Sequence, residues 1–337
     1  MRALVLTGPR AAEVVDVDPP SAGPRQAVVD VERVGVCGTD HELWTGEMTY
    51  LHSGQASYPL RPGHEWCGVV SAVGSSDDEA WLGRRVTGDT MLGCGRCSRC
   101  LDGRQHVCED RYEVGIRHGW HGALAEQLLM PVGALRTLPA AIDATAGALV
   151  EPGANAVRAV RATGAERGRR VLVWGPGTIG LLCAQFALAS GMEVHVAGVT
   201  AESLELARGL GVTGTWPADE LPALPFDAML DASNGAEVPA RALELVEPGG
   251  RVVCIGLASR PSLVDTRAMV LKDVTTVGVL SGSGGFEGAI EHYADGRVDP
   301  RPLVAATVGL DGAAAALAGQ RLAAAGRGPK IHIDPRL

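Results

Sequence analysis

Aromatic residues are scarce in this 337-residue chain: Phe, Trp and Tyr together make up 4 % of it, with Phe occurring three times. A core of that kind rests on small aliphatic side chains. The 45 glycines fit a fold with many tight strand-to-helix turns. Positive charge is also in short supply. Thirty Lys and Arg face 39 Asp and Glu, and the net charge of −9 has the wrong sign for a surface that grips nucleic-acid phosphates. No apolar run approaches the ~20 residues that span a bilayer. Met1-Arg2 leads straight into Ala3-Leu-Val-Leu6, too brief a run for the apolar region of a secretory signal. The expectation is a cytoplasmic protein with neither a membrane nor a nucleic-acid partner. Its length exceeds the size at which one core keeps growing, so two domains are expected.

Half of the eight cysteines stand close together, as Cys94-Gly-Arg-Cys97-Ser-Arg-Cys100 followed seven residues later by Cys108. Four thiolates at this spacing reach one ion and make a closed, structural zinc site with no open coordination position. A ferredoxin-type cluster run places its fourth Cys after three residues and follows it with Pro, whereas Glu109 follows Cys108 here. Disulfides belong to oxidising compartments, which the absence of a signal-like start argues against. Of the other cysteines, Cys183 and Cys254 lie in apolar runs and read as inert core residues.

The rhythm of the chain changes near residue 150. Before it, short β segments are broken by Gly and Pro: Gln26–Gly35 alternates with period two, and Gly68–Gly74 does so more weakly. The first long helical pattern runs from Ala144 to Ala162, around Glu151-Pro152. From Arg170 the order becomes strand, glycine turn, helix. Strands are expected at 171–174, 193–197, 226–231, 251–255 and 275–279, with helices at 179–189 and 201–210. That alternation predicts an α/β fold with a doubly wound parallel sheet. Beyond about residue 296 short strands return around one Ala-rich helix within 312–326.

Gly175-Pro176-Gly177-Thr178-Ile179-Gly180 directly follows one expected strand and opens one expected helix. In that context the glycines permit a tight turn and let the backbone approach a pyrophosphate at the helix N-terminus. The cofactor is read at the end of the next strand, where NAD sites place an Asp or Glu. That position falls on Gly198, and Thr200 two residues on is able to donate to a 2′-phosphate. NADP is therefore favoured over NAD, although Arg208 is the nearest following arginine.

Cys37-Gly-Thr39-Asp40 and Gly63-His64-Glu65 carry a second donor set. A catalytic zinc takes three protein ligands and keeps one exchangeable position, and Cys with His is one way to hold it. Glu65 offers a third ligand, and Glu151 is an alternative carboxylate. A zinc- and nucleotide-binding protein without turnover is the competing class, and the intact Cys37 and Thr39 argue against it.

Together these motifs resemble the zinc-containing medium-chain dehydrogenases, the superfamily of alcohol, sorbitol and threonine dehydrogenases. Gly122-Ala-Leu-Ala-Glu126, Glu247-Pro-Gly-Gly-Arg251 and Lys330 extend the resemblance over almost the whole chain. It implies a GroES-like, β-rich catalytic domain over 1–150 with its zinc lobe at about 91–110. A Rossmann domain over 151–295 and a return to the catalytic domain over 296–337 complete the division. It also implies that Cys37, His64 and Glu65 hold catalytic zinc, with Glu151 able to approach the metal or its water. Thr39 then hydrogen-bonds the substrate oxygen, and Asp40 orients His64. The expected cofactors are two zinc ions and NADP, and the expected assembly is a homodimer or homotetramer. Gly63-His-Glu-Trp66 and Val107-Cys-Glu-Asp110 are closest to threonine, sorbitol and amino-cyclitol (2-deoxy-scyllo-inosamine) dehydrogenases, which implies a polyol or amino alcohol as substrate. In one departure, His41 directly follows Asp40, where relatives place the relay histidine two or three residues beyond. The stretches Trp44–Pro59 and Arg117–His121 fall where relatives shape the substrate pocket, the alternative being solvated loops.

Overall fold

Period-two alternation in Gln26–Gly35 becomes a ten-residue strand that buries Val29 and Val31 and leaves Asp30 to solvent. The strand lies inside a seven-stranded sheet. Glu65–Val73 pairs antiparallel along one edge of it. The other edge is shared: Gln127–Pro131 covers residues 26–30, and Lys330–Ile333 meets Val34 and Gly35. A strand from far down the chain therefore lies beside the exit toward Cys37. Around this sheet Leu4, Leu6, Trp66, Leu124, Leu128 and Met130 form one buried aliphatic core. The computed structural model describes residues 1–320 and 325–337. Met1–Glu151 and Pro300–Leu337 make up this first unit, and Pro152–Asp299 the second.

The second unit is built from one six-stranded parallel sheet. Its order runs Gly214–Pro217, Glu193–Gly198, Arg170–Trp174, Phe226–Asp231, Val246–Cys254 and Thr275–Gly278. In chain order that is 3-2-1-4-5-6, the doubly wound arrangement with its switch point beside the first strand. The five expected strands of this sheet are all present. Gly214–Pro217 was not anticipated, because its four residues are only partly buried and carry no apolar run. Helices Val238–Leu245 and Phe286–Ala294 were also unread.

The helical pattern over 144–162 divides into Ala144–Ala148 and Val150–Ala162. Pro152 explains the break, since it has no N–H to return to the carbonyl of Ala148. The Ala-rich stretch forms a helix over Ala313–Leu317, and residues 321–324 of the expectation lie outside the described residues. Cys183 is fully buried, whereas Cys254 at the end of its strand is only partly so, which corrects the reading of both as core. Among the described residues no helix is long and apolar enough to cross a membrane.

Candidate active site and metal centres

Where strand 26–35 ends, Cys37 caps the helix Gly38–Thr45. Asp40 sits in the first turn of that helix and is fully buried. Its Oδ2 accepts from the Cys37 backbone N–H at 2.9 Å, and its Oδ1 accepts from the Gly63 N–H at 3.1 Å. One carboxylate thus ties the Cys37 turn to the Gly63 turn. Gly63 is at φ +101, and a Cβ there would stand 2.8 Å from the Leu124 backbone nitrogen, so only glycine fits. The next residue, His64, brings Nδ1 to 3.4 Å from Asp40 Oδ1, a charge contact too oblique to be a hydrogen bond. Burial opposes a charge on His64, but Asp40 and Cys37 outweigh it and raise its pKa well above the ordinary value. With Nδ1 toward Asp40, Nε2 is the nitrogen left for a ligand.

Glu65 lies opposite Gly35 in the antiparallel register. A Cβ at Gly35 would come 2.2 Å from Glu65 Oε2, so glycine here makes room for the carboxylate. Both Glu65 oxygens accept from Lys330 Nζ, at 2.9 and 2.7 Å, and Lys330 also donates to the Val36 carbonyl at 2.9 Å. Lys330 is buried. Desolvation works against its charge, yet Glu65, Cys37 and Asp40 hold its pKa above the usual lysine value. Ligand atoms of Cys37, His64 and Glu65 lie within 4.8 Å of one another. A thiolate, an imidazole and a carboxylate at this spacing fit a zinc ion that keeps one position open. A carboxylate has about four lone-pair sites, so Glu65 serves Lys330 with capacity to spare.

Glu151, 7 % exposed in the first turn of helix Val150–Ala162, is not gathered into that donor group. Thr39 is half-buried two residues beyond Cys37. His41 points elsewhere, its Nδ1 2.7 Å from the Leu317 carbonyl and its ring tilted against Trp44. The stretch Trp44–Pro59 is anchored rather than loose: Tyr50 donates to Glu113 at 3.0 Å, and Tyr58 donates to the Leu43 carbonyl. No local spacing announces the partnership between Lys330 and Glu65, which stand 265 positions apart. Nor does any mark His332, fully buried with neither ring nitrogen partnered among the described residues. Burial first, then Lys330 and Arg33, push its pKa down to about 3.

Cys94, Cys97, Cys100 and Cys108 form the second donor set, also within 4.8 Å of one another. Zn–S bonds of ~2.3 Å in a tetrahedron put sulfurs ~3.8 Å apart. Cys94 and Cys100 stand at 4.0 Å. The set is carried on short elements, the helical turn Ser98–Leu101 and the 3-10 turn Gln105–Val107. A Cβ at Gly93 would meet Cys100 Sγ at 2.6 Å, so that glycine lets the thiol close in. Arg99 and Glu109 clasp the outside of the lobe at 2.7 Å.

In the second unit, Gly175 leaves strand Arg170–Trp174 at φ +97, and Gly177 caps helix Thr178–Ala189. A Cβ at Gly180 would lie 1.9 Å from the Gly175 carbonyl, so the helix packs against the turn only with glycine there. A Cβ at Gly177 would meet nothing within 4 Å, which leaves open backbone at the helix start, the side from which a pyrophosphate approaches. Pro176 and Gly198 are linked: a Cβ at Gly198 would stand 2.6 Å from the proline ring. Thr200 caps helix Ala201–Gly209 through Ser203, and Arg208 donates to Thr215 at 2.9 Å.

These donor sets and this turn define the class, a zinc- and dinucleotide-dependent oxidoreductase. The alcohol dehydrogenase GroES-like domain family matches residues 23–140, and the zinc-binding dehydrogenase family matches residues 178–295. The L-threonine 3-dehydrogenase of Streptomyces avermitilis is 33 % identical over 336 residues, covering 95 % of both chains. A zinc-binding dehydrogenase from Sinorhizobium meliloti, solved with NADP, is 28 % identical with a TM-score of 0.90 and 99 % coverage of each chain. An alcohol dehydrogenase from Thermus sp. ATN1 is 26 % identical with a TM-score of 0.87, also over 99 % of each. The chain belongs to the zinc-binding medium-chain alcohol dehydrogenase family. It is an alcohol-dehydrogenase-type oxidoreductase that uses zinc and a nicotinamide cofactor.

Proposed function

We propose that the chain interconverts a secondary alcohol, a polyol or an amino alcohol, with its ketone, using NADP and two zinc ions. The observation that carries this reading is the convergence of Cys37, His64 and Glu65 donor atoms within 4.8 Å. Zinc held there supplies Lewis-acid stabilisation of negative charge on the substrate oxygen. Cys37 and the Nε2 of His64 provide two ligands and Glu65 the third, with Lys330 fixing its carboxylate. Asp40, whose carboxylate faces Nδ1 at 3.4 Å, orients the imidazole through its charge. The Thr39 hydroxyl would hydrogen-bond the substrate oxygen and relay its proton, accepting it while passing its own on toward the cofactor's ribose hydroxyls and solvent. The four-cysteine lobe holds the second zinc and has no part in the chemistry. The turn Gly175–Gly180 binds the pyrophosphate of the cofactor, which accepts the hydride.

NADP is supported by the ring of Pro176, which denies position 198 any side chain and so excludes an acidic one. Thr200 stands exposed nearby, and the Sinorhizobium relative carries NADP. A homo-oligomer is supported by Thr275–Gly278, the edge strand of its sheet, and by exposed Leu263, Val270 and Leu271 close to it in sequence. A thiolate-rich lobe needs reduced cysteines, which favours the cytoplasm. The test is cofactor reduction at 340 nm across sorbitol, threoninol, L-threonine and simple alkyl alcohols, with NAD and NADP in parallel. Turnover of polyols or amino alcohols with a higher kcat/KM for NADP is expected. Turnover of alkyl alcohols alone removes the substrate class, and a higher kcat/KM for NAD removes the cofactor choice.

A further inference from the structure

Within the first unit, a cavity of about 270 Å³ opens between residues 54–61 and 115–121. Ser57, Ile116, Trp120, His118 and His121 contribute to its lining, and no Asp or Glu does. Arg61 contributes as well. Its neighbours in the chain are apolar, Pro59-Leu60-Arg61-Pro62, and the residue is 8 % exposed. Its Nε has no hydrogen-bond partner, and among the described residues no carboxylate pairs with its guanidinium. Among the described residues one other arginine is as deeply buried, Arg117, and it differs in having acceptors: its Nη2 donates to the Glu109 carbonyl at 3.2 Å and its guanidinium approaches Glu113, although its Nε and Nη1 lack hydrogen-bond partners.

A largely buried guanidinium without a carboxylate partner is costly, and an anion entering the cavity would offset part of that cost. Desolvation lowers the Arg61 pKa to about 10, and burial followed by the Arg61 charge lowers that of His121. In a chain of net charge −9, a cavity bearing one arginine and two histidines with no acid stands out.

The cavity adjoins the Gly63 turn that leads to His64, although Cys37, His64 and Glu65 do not themselves line it. Arg61 precedes His64 by three positions, so their Cα atoms are at most about 11 Å apart. Gly115, in the cavity wall, is against Gly63: a Cβ on it would come 2.9 Å from the Gly63 carbonyl. We propose that Arg61 anchors an acidic group, carboxylate or phosphate, borne by the alcohol substrate a few atoms from the reacting carbon. This rests on the dehydrogenase reading above and narrows it. Arg is suited to the task because its planar fork pairs with either anion through two parallel hydrogen bonds.

The test uses matched ligands: sorbitol against gluconate and sorbitol 6-phosphate, and threoninol against threonine. Each is titrated calorimetrically into the zinc-loaded full chain at saturating reduced cofactor, which blocks turnover and fills the nucleotide turn. At least one acidic member is expected to bind roughly ten- to a hundredfold tighter than its neutral partner. The gluconate and 6-phosphate arms tell carboxylate from phosphate. Arg61→Gln is expected to erase the preference and Arg61→Lys to keep part of it, with unchanged zinc content as the control for folding. No acid preference in the wild type overturns the proposal without any variant, as does a preference that survives in folded Arg61→Gln. Oxidation of the same alcohols with NADP tests the parent reading separately. Acid preference without any turnover would leave Arg61 as an anion anchor and overturn the polyol or amino-alcohol substrate reading.

Discussion

The two zinc-type sites of the first unit are built on opposite plans. The four-cysteine lobe draws all its donors from fifteen consecutive residues, on short turns with three of the four thiols partly exposed. The Cys37, His64 and Glu65 set draws donors from two strand ends and its supporting lysine from a third strand 265 residues away. One set is satisfied by its own sulfurs. The other is surrounded by groups that orient the donors without being ligands: Asp40, Lys330, Gly35 and Gly63. A staple needs only enough ligands, whereas a reacting centre needs its ligands held at fixed angles with one position free.

The sharpest way to break this comparison is to remove one donor from each plan. Cys37→Ala is expected to lower kcat by on the order of 10³ while the chain stays folded. Metal analysis should then fall from two zinc ions per chain to one, and an unchanged content would refute the ligand assignment. Cys100→Ser is expected to cost the other zinc and to lower the melting temperature by about 10 °C. Its remaining folded fraction should keep its kcat, measured below the melting transition. If both variants lost activity and stability alike, the division into staple and reacting centre would not stand.

The smallest expected effect comes from the groups that only orient. Asp40→Asn keeps one oxygen acceptor but weakens the hold on His64, and is expected to reduce kcat/KM or zinc affinity by about 10–100-fold. The melting curve should move little, by comparison with Cys100→Ser. An Asp40→Asn enzyme with full activity would show that the backbone turns alone hold the imidazole.

How much of this was legible in the sequence follows the same line. The cysteine lobe is local, so its spacing in the chain states its geometry. The parallel sheet was readable because fully buried strands such as Phe226–Asp231 form short apolar runs between turns. Strand Gly214–Pro217 has no such run and was missed. At the proposed reacting site, Cys37, His64 and Glu65 were singled out by their neighbouring glycines, and the structure brings their donor atoms within 4.8 Å of one another. Lys330 and Arg61 were not, for different reasons. Lys330 meets Glu65 only through a pairing of distant strands, which no local spacing encodes. Arg61 becomes unusual only once its burial and its lack of a partner are known, and a lone arginine in a sequence conveys neither. Glu65 was the first candidate for the third ligand and Glu151 the alternative, and in the structure the Glu65 carboxylate is the one gathered with Cys37 and His64.

Strand Lys330–Ile333 also imposes an order on biosynthesis. The second unit is contiguous and is complete once residue 299 has been made. The first unit begins the chain yet lacks one strand of its sheet, and the lysine that braces Glu65, until residue 330 emerges from the ribosome. The nucleotide-type fold is thus expected to mature first, with Glu65 left unpaired behind it. Released chains truncated near residue 320 should show a protease-resistant second unit and a labile first one. The same argument makes residues 330–333 the wrong place for a fusion or truncation, although they lie far along the chain from every proposed ligand.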